Sequence, residues 1–362
     1  MADENAVNKY KVTSNSDIRA AIKIMDQGGD GICVCVDESE NVLGIITDGD
    51  FRRAILNGIS LENNVQEMMN KDFIFLENNY TDEDVVQVFN HNSIKHIPIL
   101  DRNKLVSLIK HDSFINKDII YSSNRKLNVP VVIMAGGKGT RLAPFTNIFP
   151  KPLIPIGDKT IIELIIQEFY QFGILKFFFT INYKGEMIKA YFDSIEKNYE
   201  VNYVKEDDFF GTAGSLKLLE QSIDDIFIVT NCDIILKADY SQILEFHQET
   251  NSDLTIVSSL QHHKIPYGVV DFENGGKVIK ITEKPEYSFT INTGVYILNK
   301  LCLEFIPEKT FFHMTDLIDS LIASGKNVFT YPVNENDYID TGQWEEYQKA
   351  VAKLNFNSPS EL

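Results

Sequence analysis

The chain has 362 residues, long enough for two domains with cores of their own. Its 44% apolar and 24% charged residues describe a globular protein, and the longest apolar runs, 129–135 and 177–181, fall far short of the roughly 20 residues that span a bilayer. A net charge of −18 opposes any polyanion, so neither nucleic acid nor membrane is expected as a partner, while a local basic cluster can still hold a small phosphate.

Taken in chain order, the first feature is a repeat. Segments 43–51 (LGIITDGDF) and 106–114 (VSLIKHDSF) each follow an apolar strand and a short polar turn: 31–36 then DESEN, and 96–100 then DRNK. A helical pattern lies upstream of each, around 18–25 and 83–90. Each half therefore reads helix, strand, turn, strand, helix, and a half this small needs the other to pack against, giving one domain over 8–120. Cys33 and Cys35 alternate with valines on the first strand, Cys232 and Cys302 stand alone, and no His lies at zinc-ligand spacing from any of them. Buried, reduced thiols are expected, as in a cytoplasmic protein, and no basic segment followed by an apolar one opens the sequence.

The run Gly44-Ile45-Ile46-Thr47-Asp48-Gly49-Asp50, with Lys95-His96-Ile97-Pro98-Ile99 in the second half, resembles a tandem CBS pair, or Bateman module. In that family a Thr or Ser and an Asp three residues on hold an adenine nucleotide. The resemblance implies that Thr47 and Asp50 bind a regulatory nucleotide. The second repeat departs from the pattern, with Lys110 and Ser113 in those places. CBS pairs often associate, so a homo-oligomer is expected.

Residues 121–129 are polar and aperiodic and read as a linker. From 131 onward apolar strands alternate with amphipathic helices: strand 131–134, helix 160–172, strand 177–181, helix 185–196, strand 201–203, helix 214–220, strand 226–229 and helix 240–247. That alternation predicts an α/β domain over 130–352, built on a mainly parallel, Rossmann-like sheet covered on both faces. Strands at 254–259, 268–271 and 294–298 read as an added β portion, and 353–362 as a tail.

The segment Ala135-Gly136-Gly137-Lys138-Gly139-Thr140-Arg141-Leu142 carries the strongest chemical signal. Its glycines let the backbone approach a ligand and aim N–H groups at it, and it follows a strand of an open α/β sheet, where phosphates bind. Neither G-x-x-x-x-G-K-[ST] nor G-x-G-x-x-G is present, so a P-loop and a dinucleotide fingerprint are both excluded. Lys151 stands between Pro150 and Pro152, which stiffen its loop. Together with Arg141 it could clamp a triphosphate.

The run 136–163 resembles the signature of the sugar nucleotidyltransferases, or NDP-sugar pyrophosphorylases, and 130–350 follows that family's order of motifs. The resemblance implies transfer of a nucleotidyl group from a nucleoside triphosphate to a sugar-1-phosphate with release of pyrophosphate, in nucleotide-sugar and surface-glycan synthesis. It implies that Gly136, Gly137, Gly139 and Thr140 hold the nucleotide, with Arg141, Lys151 and Asp233 catalytic. Gly211-Thr212-Ala213-Gly214 matches a turn close to base and sugar; Gly268, Glu283, Lys284 and Asn292 match sugar-side motifs. Asp233 and Asp340 would bind Mg²⁺, and Cys232 replaces the usual Gly before the first of them. A CBS pair ahead of such a domain is similar to the glucosamine-1-phosphate guanylyltransferases of bacterial legionaminic acid synthesis, which implies GTP and glucosamine-1-phosphate. Two alternatives stay open: a UTP, CTP or dTTP enzyme, and a non-catalytic nucleotide-sensing scaffold.

Overall fold

The computed structural model describes residues 7–28, 30–92, 94–110 and 126–354. Part of the expected linker (121–125), the helix expected after the second repeat with its Ser113, and the tail from 355 lie outside these residues. The chain divides into two compact units, Met1–Ile120 and Tyr121–Leu362. Among the described residues no helix is long and apolar enough to cross a membrane.

The first unit contains two three-stranded sheets. One is β1 (Lys11–Thr13), β2 (Ile32–Val36) and β3 (Val42–Thr47), with helices α1 (Ile18–Gly28) and α2 (Asp48–Leu56). The other is β4 (Leu76–Glu77), β5 (His96–Asp101) and β6 (Lys104–Lys110), with α3 (Asp82–His91). Helix α1 buries Ile18, Ala21, Ile22 and Met25, one apolar stripe at helical spacing. The two repeats share a core, since Val34, Val36 and Val42 of the first pack with Leu100 and Leu105 of the second. Cys33 and Cys35 are buried on β2 as free thiols.

The second unit is built on a seven-stranded sheet. Its strands are β7 (Val131–Met134), β8 (Lys176–Ile181), β9 (Glu200–Lys205), β10 (Ile226–Asn231), β12 (Leu254–Lys264), β15 (Glu286–Asn299) and β16 (Val328–Val333), in the order β9-β8-β7-β10-β15-β12-β16. The sheet is mainly parallel, with β15 antiparallel to both of its neighbours. Alternate residues of one strand enter opposite layers: Val131 and Ile133 pack into one core, Val132 and Met134 into the other. Both faces are therefore covered, which explains why these strands read as unbroken apolar runs. Helices α4 (Ile161–Tyr170), α5 (Gly185–Ser194), α6 (Tyr240–Glu249), α7 (Met314–Ala323) and α8 (Trp344–Lys353) complete the unit. Helix α4 starts with a capping box: the Thr160 N–H and hydroxyl both donate to Glu163 Oε2 at 2.8 Å.

Three expectations need correction. The strands expected at 254–259 and 294–298 are not an added portion but interior strands of the main sheet. Strand β15 is 14 residues long, and its burial changes at Thr293 from exposed to fully buried. The outer ends of β12 and β15 pair with each other past their other neighbours, and the hairpin β13 (Val269–Phe272) with β14 (Val278–Thr282) forms a separate small sheet. The expected helix at 214–220 is a single turn at Gly211–Gly214 that tightens into 3-10 geometry over Ser215–Leu219. Its two glycines disfavour a longer α-helix. Helices α7 and α8 also form in sequence for which no element was assigned.

Candidate active site

The Gly-rich segment leaves β7 at the carboxyl end of the sheet. Gly139 has φ +64°, a left-handed conformation that suits glycine. A Cβ there would stand 2.9 Å from Lys151 Cβ and 3.0 Å from Thr146 Cγ2, so glycine is also required by close packing. Nothing lies within 4 Å of the corresponding position on Gly137, which leaves an open face to the loop. Thr140 and Arg141 continue into an exposed turn of 3-10 helix, Thr140–Leu142. The backbone returns through a second turn, Phe145–Asn147, to Lys151, which is 7% exposed.

Two short strands bring the acidic residues to this place. Strand β11 (Ile234–Leu236) pairs antiparallel with β17 (Tyr338–Asp340), with Ile234 opposite Asp340. The Thr341 N–H and hydroxyl donate to the Asp233 carbonyl at 2.9 and 2.8 Å, tying the two ends together. A Cβ built on Gly342 would lie 2.8 Å from a carboxylate oxygen of each of Asp233 and Asp340, and 3.2 Å from Lys151 Nζ. The position therefore has room only for glycine. Lys151 is ion-paired with Asp233, and the Gly342 N–H donates to Asp340 Oδ1 at 2.6 Å. Burial pushes the Asp340 pKa above the ordinary carboxylate value; Asp233 adds to the rise, while the Gly342 N–H, Lys151 and Arg141 oppose it. Arg141 thus acts electrostatically on the same group. Cys232 points into the core beneath, its thiol pushed up to about 12 by burial, so it does not crowd the carboxylates.

These residues suit a hard divalent cation. Two carboxylates converge, and the ammonium on one of them stands where positive charge is favoured. Among the described residues no group of three or more His, Cys, Asp or Glu could hold a metal. Mg²⁺ commonly takes only one or two carboxylates, with substrate phosphates completing its shell.

The remaining predicted residues fall in three places. Gly211, at φ +80°, and Gly214 pack against the backbone of 310–312, and the Ala213 and Gly214 N–H groups both donate to the Phe312 carbonyl at 3.0 Å. The Thr212 hydroxyl accepts from the Met314 N–H at 2.9 Å and so caps α7. Asn292 sits at a bulge between β12 and β15; its amide oxygen accepts from the Gly294 N–H at 2.9 Å, and Gly294 packs on the Asn231 side chain. Gly268, Glu283 and Lys284 stand apart on the exposed β13–β14 hairpin, where a Cβ on Gly268 would be 3.0 Å from Glu283 Oε2.

Sequence reasoning missed Glu206. This side chain, 4% exposed, follows β9 directly and reaches the cradle: a Cβ on Gly136 would lie 2.6 Å from its Oε1. Burial raises its pKa, while the Phe210 N–H helps to hold the charged form. The available signal was its place directly after a parallel strand, where ligands of open α/β sheets gather.

In the first unit Thr47 and Asp50 do meet. The Thr47 N–H and hydroxyl donate to Asp50 Oδ2 at 2.9 and 2.7 Å, and Arg53 pairs with the other oxygen. Both residues thus also serve as the start of α2. The departure at Lys110 has a physical reason. Lys110 pairs with Asp30 at 2.7 Å, and Tyr10 donates to the same carboxylate at 2.5 Å. Burial works to raise the Asp30 pKa, but these two partners outweigh it and hold it below the usual range.

The family pattern of the nucleotidyl transferases matches residues 130–356, and that of the CBS domain matches 7–57 and 65–118. A UTP–glucose-1-phosphate uridylyltransferase of Synechocystis sp. is 30% identical over 241 residues, covering 61% of this chain and 62% of that protein. A mannose-1-phosphate guanyltransferase of Yarrowia lipolytica is 31% identical over 224 residues, covering 60% of this chain and 61% of that protein. The chain thus spans less than two thirds of the length of either relative. The crystal structure of HddC from Yersinia pseudotuberculosis, 28% identical, superposes with a TM-score of 0.51 over 63% of this chain and 100% of that one. With a match over residues 130–356 and the cradle, lysine and paired aspartates in one place, the chain belongs to the nucleotidyl transferase family, carrying two CBS domains ahead of the transferase unit.

Proposed function

We propose that the protein transfers a nucleotidyl group from a nucleoside triphosphate to a sugar-1-phosphate and releases pyrophosphate. The observation that carries this reading is the convergence of Lys151, Asp233 and Asp340 around Gly342, next to the Gly136–Arg141 cradle. The two relatives, a glucose-1-phosphate uridylyltransferase and a mannose-1-phosphate guanyltransferase, support the same chemistry.

In the proposed reaction an oxygen of the sugar phosphate attacks the α-phosphorus in line. The bond from that phosphorus to its bridging oxygen breaks, and the electron pair leaves with pyrophosphate. The nucleophile is already ionised near neutral pH, so neither a general base nor a covalent intermediate is needed, and catalysis reduces to positioning and charge stabilisation. Backbone N–H groups of the cradle and Arg141 hold the phosphates. Lys151 is restrained by its prolines and kept close by Asp233, from which its ammonium can pass to a phosphate oxygen. Asp233 and Asp340 would hold Mg²⁺, which when bound supplies positive charge beside the phosphates.

GTP is the proposed nucleotide. Guanine offers two N–H donors along one edge, which a buried, acceptor-only carboxylate such as Glu206 accepts together; uracil and thymine would set a carbonyl against it. Glucosamine-1-phosphate is the proposed sugar. The order of domains, similar to the glucosamine-1-phosphate guanylyltransferases of legionaminic acid synthesis, favours the same pair. The CBS unit is proposed to sense an adenine nucleotide near Thr47 and Asp50, with Arg53 yielding its place on Asp50.

Lys151→Ala and Asp233→Asn are each expected to lower turnover at least about 100-fold, as loss of a preorganised electrostatic group does. Pyrophosphate release by the folded variants checks this, and near-wild-type rates would remove the assignment. Glu206→Gln is expected to lower kcat/KM for GTP about tenfold or more relative to UTP, since the carboxamide presents a donor to guanine. An unchanged preference would exclude Glu206 from base selection. ATP is expected to bind the full chain and to lose that binding in Asp50→Ala; calorimetry with no heat for the wild type would end the sensing proposal.

A further inference from the structure

The turn between β8 and α5 touches the cradle at two points that the transfer chemistry does not use. The Tyr183 N–H donates to the Gly136 carbonyl at 3.4 Å, and the Tyr183 hydroxyl to the Thr146 carbonyl at 3.4 Å. Lys184 follows in the left-handed region at φ +54°, a conformation lysine rarely adopts unless its surroundings impose it. From there Lys184 Nζ donates to the Thr146 carbonyl at 3.1 Å and the Asn147 carbonyl at 2.6 Å. Both carbonyls belong to the Phe145–Asn147 turn, midway between Arg141 and Lys151. A cation at the carbonyl end of a helical turn is favourably placed.

Thr146 is the link inward. Its side chain is 3% exposed, and its Cγ2 and Lys151 Cβ both close on the bare Cα of Gly139. Holding the Thr146 carbonyl from outside therefore also holds in place the methyl that packs on Gly139 beside Lys151. Among the described residues the segment is otherwise held by the Tyr183 hydroxyl, by a ring contact of Phe145 with Trp344 at 5.3 Å, and by short-range backbone bonds: Asn147 N–H to Pro144, Ile148 N–H to Phe145, and Phe149 N–H to Phe145. Phe145, Ile148 and Phe149 are exposed by 41, 65 and 44%, so apart from the Phe145–Trp344 contact apolar burial does little to fix it.

We infer that Lys184 is a positioning residue: its ammonium clamps the Thr146 and Asn147 carbonyls and so holds the segment joining Arg141 to Lys151 in the shape that receives the nucleotide triphosphate. This rests on the transferase reading for what the cradle receives, but not for the clamp itself. Lys184 bonds to the Thr146 and Asn147 carbonyls and acts through Thr146.

The test uses the full chain as wild type, Lys184→Met and Lys184→Arg, read by amide hydrogen exchange and by steady-state kinetics. In Lys184→Met, exchange at the amides of 147–149 is expected to rise about tenfold, and KM for the nucleotide to rise about tenfold with kcat and the melting temperature little changed, since charge-assisted hydrogen bonds to two carbonyls are lost. Lys184→Arg, which keeps a cationic donor, is expected to restore both readouts. Unchanged exchange at 147–149 in Lys184→Met overturns the clamp. Raised exchange with an unchanged KM overturns its link to the nucleotide. A wild-type protein that turns over no substrate contradicts the transferase reading instead, and the exchange comparison alone then decides the clamp.

Discussion

Two carboxylates held against each other repel, and the second unit accepts that cost at one point. The short β11–β17 ladder and the bonds from Thr341 to the Asp233 carbonyl leave Asp233 and Asp340 no freedom to separate. Lys151, Arg141 and the Gly342 N–H offset the repulsion. The rest of the site follows from that constraint. Gly342 must lack a side chain, Gly139 must let Lys151 approach, and the proline-flanked lysine must arrive at one position.

Strain and packing around the site are distributed among residues that do not carry charge to it. The Thr160 and Glu163 capping box fixes the start of α4 soon after Lys151, and the Tyr191 hydroxyl donates to the same Glu163 oxygen at 2.8 Å. Glu163, the acidic residue that ends the signature run, is therefore anchored in the scaffold. The small residues of 211–214 are likewise explained in part by the backbone of 310–312 pressed against them. A motif that resembles a binding turn is, at the level of atoms, also a close-packed joint between segments distant in sequence.

Much of this was legible in the sequence because it depends on short-range order. The apolar strands from Val131 to Val229 and the glycine cradle are each set by short local runs, and the repeat in the first unit shows itself when two such runs, 43–51 and 106–114, are compared. What was not legible depends on long-range pairing. The sequence paired Asp340 with Asp233 only by family resemblance; the antiparallel ladder of β11 and β17 that brings them together was hidden, because neither short strand stands out by its pattern. The change from buried core to exposed arm occurs inside single strands, after Leu260 in β12 and before Thr293 in β15, with no loop at either place that the chain itself announces. Glu206 was passed over because an acidic residue beside Asp207 and Asp208 reads as solvated loop, and only the fold reveals it packed against Gly136.

The central claim is that one triphosphate and one divalent cation are gathered at Asp233, Asp340 and the glycine cradle. Crystals grown with Mn²⁺ and a non-hydrolysable GTP analogue test it most directly through the anomalous signal of the metal. The account predicts a manganese peak bonded to both aspartates, with the phosphates lying along 136–141. A peak bound elsewhere, or phosphates remote from that loop, would contradict it.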